Sequence, residues 1–114
     1  MRRGDVYKAN LDPTVGSEIH KTRPVVIVSR DAINASSPVV IIVPVTSRSN
    51  KVRIYPTHVE LRIGEGGLPS ESVALCEQVR AISKDRLSGQ LGQLPKPKVA
   101  QINASLKIAL DLDS

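Results

Sequence analysis

Two polar stretches, each attached to an apolar run, carry side chains able to hold an anion or move a proton. One carries Glu18, His20, Lys21 and Arg23, and the other carries Thr46, Ser47, Arg48, Lys51 and Arg53. Arg23 stands between a loop and the apolar run that starts at Pro24. A guanidinium there can grip a phosphate through two parallel hydrogen bonds. The Thr46 hydroxyl can bond a phosphate oxygen or pass a proton, Glu18 can serve as a general base, and His20 can titrate near neutral pH. Blander roles compete with each. Arginine before proline is pushed to extended backbone and can cap a strand with its side chain in water. Threonine at a strand end often bonds a turn amide. Glu18 can form a surface ion pair with Lys21 or Arg23. His58, inside an alternating segment, reads as structural. Gln78 and Arg80 lie two residues apart and so point to one face of a strand, either a binding surface or its solvated side.

Other chemistries lack their residues. One cysteine and two histidines at unrelated spacing, without an acidic cluster, give too few ligands for zinc or for a two-metal nuclease. No serine sits in a nucleophile elbow. Gly64-Glu65-Gly66-Gly67 lacks the helix and the Lys-Ser/Thr pair of a phosphate loop, and reads as a turn. No cofactor is expected.

The elements that must position these groups are short. Val6 to Leu11 reads as a strand closed by Asp12-Pro13, and Thr14 to Thr22 as a polar loop. Pro24 to Val28 and Val39 to Val43 are continuous β-branched runs, expected as strands buried on both faces. The second ends at Pro44-Val45-Thr46, where the missing donor of proline predicts a bend or bulge. Asp31 to Ser37 reads as a turn-rich connection, Ser47 to Pro56 as a basic loop, and Thr57 to Leu61 as a strand. Val73 to Ala81 reads as one half-exposed strand, followed by a tight helical turn over Ser83 to Leu87. After Pro95 and Pro97, the residues Val99, Ile102, Leu106, Ala109 and Leu110 keep the spacing of one apolar helix face. Several short strands followed by one helix predict a mainly β protein, a small, strongly bent antiparallel barrel with a C-terminal α-helix packed on it.

The chain of 114 residues fits one domain, 1–114, with 40% hydrophobic residues, no Phe or Trp, and two Tyr. Its core must be Val, Ile and Leu, and aromatic stacking platforms for nucleic acid are nearly excluded. The net charge of +5 favours anionic partners. The single Cys76, the absence of a signal-like apolar start and the absence of a bilayer-length apolar run predict a cytoplasmic protein with no membrane role.

Five ordered segments carry a family resemblance: RGDVYKANLDPTVGSE (Arg3 to Glu18), RPVVIVS (Arg23 to Ser29), VPVTS (Val43 to Ser47), PTHVEL (Pro56 to Leu61) and SVALCEQVRAISKDRL (Ser72 to Leu87). In order and spacing the chain resembles the MazF/PemK toxin endoribonucleases over nearly its whole length. Family loops usually read Gly-Ser-Glu-Gln with a glycine shortly before Arg-Pro. Ile19 and Lys21 stand at those glutamine and glycine places, and the strand-one tryptophan is replaced near Val6-Tyr7.

The resemblance implies an SH3-like barrel that forms a homodimer. It implies a metal-independent toxin RNase cutting single-stranded RNA, chiefly mRNA, by attack of the 2′-hydroxyl, leaving a 2′,3′-cyclic phosphate and a 5′-hydroxyl. Arg23 and Thr46 match the catalytic pair, Glu18 the loop glutamate, and Glu77-Gln78 a pair placed near bound RNA. Ser17, Ser47, Arg48, Gln78 and Arg80 are the expected RNA-binding residues. A cognate antitoxin with an acidic, disordered tail is the expected protein partner, in keeping with the basic charge. Two other readings keep the fold: a non-catalytic toxin inhibiting a protein such as DNA gyrase, and a barrel that binds nucleic acid through basic loops.

Overall fold

A computed structural model describes residues 1–50 and 53–112, so Lys51 of the second basic loop lies outside the described residues. Seven strands and two helices follow in the order β1 (Asp5–Asn10), β2 (Thr22–Ile27), α1 (Asp31–Ser36), β3 (Val39–Ser47), β4 (His58–Leu61), β5 (Ser72–Leu75), β6 (Arg80–Ser83), β7 (Leu87–Gln93) and α2 (Lys96–Leu110). Every pairing is antiparallel. The strands run β4-β5-β3-β2-β1-β7, with β6 added to β3. The protein is mainly β with a C-terminal helix, as the sequence predicts, but β4 and β7 do not pair and the sheet stays open.

Val25 to Ile27 is buried on both faces as expected, but in the second run Val39 and Ile41 are exposed, so β3 is covered on both faces only from Ile42 to Thr46. Val25, Ile27, Val40 and Ile42 enter a cluster with Ala9, Leu11 and Ile82. The alternate residues Val26, Val43 and Val45 enter a second cluster with Val6, Val59, Leu61, Ala74 and Ile102. The side-chain period of two sends β2 and the second half of β3 to two cores at once, while the first half of β3 buries one face only. Pro44 interrupts nothing. β3 pairs with β6 through Ile42 and with β5 from Val45, and Pro44 falls in the gap between those two ladders. The strand changes partner at the place where the sequence predicts a bend or bulge.

Three further expectations need correction, and one strand, β7, has no counterpart among them. Asp31 to Ser37 is mostly helix, because buried Asn34 donates to the Ser29 carbonyl at 2.8 Å and takes part in a side-chain bond with the Ser29 hydroxyl. Those tertiary bonds outweigh the weak helix propensity of Asp, Asn and Ser. Val73 to Ala81 is two strands, split by a single 3₁₀ turn at Cys76–Gln78, and β5 is wholly buried rather than half-exposed. β7, with the sequence LSGQLGQ, has little intrinsic strand preference and forms by pairing with β1. On α2, Ile102 is buried while Val99 and Leu106 pack on the core, but Leu110 is exposed.

The seam between β4-β5 and β7 is filled by the turn Glu65–Gly67, which lies directly on β7. A Cβ on Gly67 would stand 2.1 Å from the Leu91 carbonyl oxygen, and one on Gly92 would stand 2.7 Å from the Gly66 carbonyl carbon. Only glycine allows backbones this close. The Gly-rich stretch is a turn, as expected, and also a tertiary contact.

Candidate active site

Arg23 is the second residue of β2, and Thr46 is the second-last of β3. The β2–β3 ladder pairs Val25 with Pro44, and continuing that register by two residues sets Arg23 opposite Thr46. Both side chains line one cleft of about 180 Å³, with Ser47, Pro69, Ser70 and Ser72. Extended backbone before Pro24 and the end of a strand buried on both faces fix the two positions.

Their bonding leaves chemistry available. The Arg23 Nε donates to the His20 carbonyl oxygen at 3.2 Å, and its terminal nitrogens have no protein partner among the described residues. Thr46 is only 5% exposed. Its Oγ1 accepts from the Asn50 side-chain amide at 3.3 Å, which leaves the hydroxyl proton free to donate. Ser47 shares a hydrogen bond with Ser49 at 2.9 Å. Ser70 and Ser72 are site residues that the sequence reading missed. Ser70 arrives on the β4–β5 connection and Ser72 as the first residue of β5, far along the chain, and no local signal marks them.

The other expected residues divide between different surfaces. Glu18, Gln78 and Arg80 line a second cleft of about 340 Å³ with Leu11, Ile19 and Pro44. Glu18 is exposed, and its carboxylate accepts the Val15 backbone N–H at 2.9 Å. It ion-pairs with neither Lys21 nor Arg23. Ser17 is exposed on the same loop. Arg48 turns the other way: its side chain pairs with Glu60 at 3.6 Å and lines a cleft with Arg62 and Lys98. The structure therefore joins Arg23, Thr46 and Ser47, groups Glu18 with Gln78 and Arg80, and sets Arg48 apart.

The turn Cys76–Gln78 ties the loops together. The Gln78 side-chain oxygen accepts the Ile19 N–H at 2.9 Å, holding the β1–β2 loop. The adjacent Glu77 carboxylate meets His58 Nε2 at 3.0 Å, and His58 Nδ1 accepts the Tyr55 N–H at 3.1 Å, holding the β3–β4 loop. With Nδ1 accepting, the ring proton sits on Nε2 and donates to Glu77. His58 is structural, as its sequence setting suggests. The Cys76 thiol is pushed up to about 12 by burial, with the nearby Glu77 charge adding to the effect, so it is no nucleophile at neutral pH.

A guanidinium with its terminal nitrogens available, in one cleft with a buried alcohol, suits binding and cleavage of a phosphodiester. Comparison with known proteins points the same way. The chain is 46% identical over 112 residues to the Endoribonuclease MazF of Staphylococcus saprophyticus, covering 98% of this chain and 92% of that one. The crystal structure of MazF from Deinococcus radiodurans is similar with a TM-score of 0.82 at 26% identity, over 97% of this chain and 96% of that one. A mycobacterial endoribonuclease solved in complex with its cognate antitoxin gives 0.81 at 26% identity, over 100% and 98%. Residues 2–110 match the family described as PemK-like, MazF-like toxin of type II toxin-antitoxin system, and the chain belongs to that family.

Proposed function

We propose that this chain is the toxin of a toxin–antitoxin pair, a metal-independent endoribonuclease that cleaves single-stranded RNA, chiefly mRNA, at short sequences. The observation that carries the mechanism is the shared cleft of Arg23 and Thr46. The 2′-hydroxyl gives its proton to a base and attacks the adjacent phosphorus, the bond to the 5′-oxygen breaks, that oxygen takes up a proton, and a 2′,3′-cyclic phosphate and a 5′-hydroxyl result. Negative charge builds on the phosphoryl oxygens, and the free nitrogens of Arg23 stabilise it. Thr46 donates its hydroxyl proton in a hydrogen bond to the phosphate and holds its orientation. A preorganised donor of this kind contributes about 3 kcal/mol to lowering the barrier. In the free chain, the bond from Val15 to Glu18 makes Glu18 a loop-ordering residue, and its service as base requires the β1–β2 loop to move toward Arg23.

The gyrase-inhibitor and simple nucleic-acid-binding readings leave the Arg23–Thr46 cleft without a purpose. The partner is an antitoxin whose acidic tail is drawn to a surface of net charge +5, and two copies of the chain pair as a homodimer in the cytoplasm. Among the described residues no helix is long and apolar enough to cross a membrane.

Purified protein should cut unstructured RNA in excess EDTA. Arg23→Ala should lower that rate by about 10²–10³-fold with an unchanged circular dichroism spectrum. Undiminished cutting by this variant removes Arg23 from the reaction.

A further inference from the structure

The catalytic cleft continues into a neighbouring groove of about 360 Å³, lined by Lys8, Thr22, Arg23, Pro24, Pro69 and Leu91. Arg23, Pro24 and Pro69 form walls of both spaces. Lys8 lies on β1 in register with Pro24, one strand further from Thr46. It is exposed, and among the described residues no carboxylate pairs with its ammonium group. A larger cleft, about 620 Å³ beside α2, differs in this respect. There Arg3 already donates to Asn103 and to the Val28 carbonyl, and Arg2 approaches Asp31.

The groove offers apolar surface from Pro24, Pro69 and Leu91, a hydroxyl from Thr22 and, besides Arg23, a second cation, Lys8, with no carboxylate partner among the described residues. A nucleotide presents the complementary set: a flat base or ribose face tied to a phosphate at fixed reach. With no aromatic ring in the groove, the base contact is apolar packing rather than stacking, and the phosphate contact supplies the charge. We infer that this groove is a nucleotide subsite flanking the scissile phosphate, with Lys8 binding the neighbouring phosphate of single-stranded RNA. The inference rests on the endoribonuclease reading.

A fully 2′-O-methylated oligonucleotide, which lacks the attacking hydroxyl, tests binding without cleavage. Lys8→Ala should raise its Kd by about five- to tenfold. It should also lower the slope of log affinity against log salt by about 0.7, the value of one phosphate contact on a single strand. Lys8→Arg should restore both. Lys107→Ala, on the exposed side of α2, removes the same net charge and should leave the slope unchanged. With cleavable RNA, Lys8→Ala should raise KM and leave kcat within about twofold. Equal behaviour of the Lys8 and Lys107 variants in Kd and slope overturns the subsite. Failure of the unmodified protein to cleave any RNA sinks the endoribonuclease reading instead, and the binding comparison still decides the role of Lys8.

Discussion

Lys21 sits at φ 66°, in the left-handed region, with its N–H donating to Asp12 Oδ1 at 3.0 Å and its carbonyl accepting from Leu11. This is the position where similar sequences are expected to carry glycine. The conformation costs a lysine about 1–2 kcal/mol, partly offset against the greater chain entropy that glycine brings to the unfolded state. Lys21→Gly should therefore stabilise the protein by about 0.5–1 kcal/mol in urea denaturation. A loss of stability would mean that the lysine side chain contributes more than its backbone strain. At this scale the sequence conveyed residue type and flanking context. Arg23 and Thr46 were legible because each marks the junction of a loop with an apolar strand. A charge in a loop does not announce its direction, and Arg48 lies by Glu60 in a different cleft from Arg23. Lys8 was silent, since one lysine in a strand has no pattern, and Ser70 and Ser72 reach the cleft only through the fold.

Among the elements, the turn Cys76–Gln78 has the widest reach. Two consecutive side chains hold two separate loops, one directly at Ile19 and one through His58 to Tyr55. Gln78 is then a positioning residue in the free protein, and its amide oxygen is the group that matters. Gln78→Ala should speed hydrogen exchange of the Ile19 amide by about tenfold or more, and raise KM more than it lowers kcat. Gln78→Glu keeps an acceptor and should preserve the protection. Unchanged exchange in the alanine variant would assign Gln78 to direct RNA contact alone. Elements with strong periodicity were readable: β2, β3 and most of α2. Those built by tertiary bonds were not. α1 depends on Asn34 and Ser29, and β7 depends on its neighbour β1.

For the whole molecule, strand pairing ends at β4 and β7, and a glycine contact bridges the two edges. Gly92 has an ordinary φ, so a side chain there tests space alone. Gly92→Ala should destabilise the protein by about 1–3 kcal/mol in urea, through overpacking against Gly66 and Gly67. A neutral result would show that the turn can lift away without cost. The mixture of short strands with a C-terminal helix was evident in the sequence, whereas the open edge between β4 and β7 was not, because pairing between distant edges leaves no local trace. β3 touches three other strands, and Thr46 lies near its end. A hydroxyl mounted on such a girder has little freedom to be re-aimed. Descendants of this scaffold can acquire new cutting preferences by exchanging the flexible rims, while the reactive core passes from one to the next untouched.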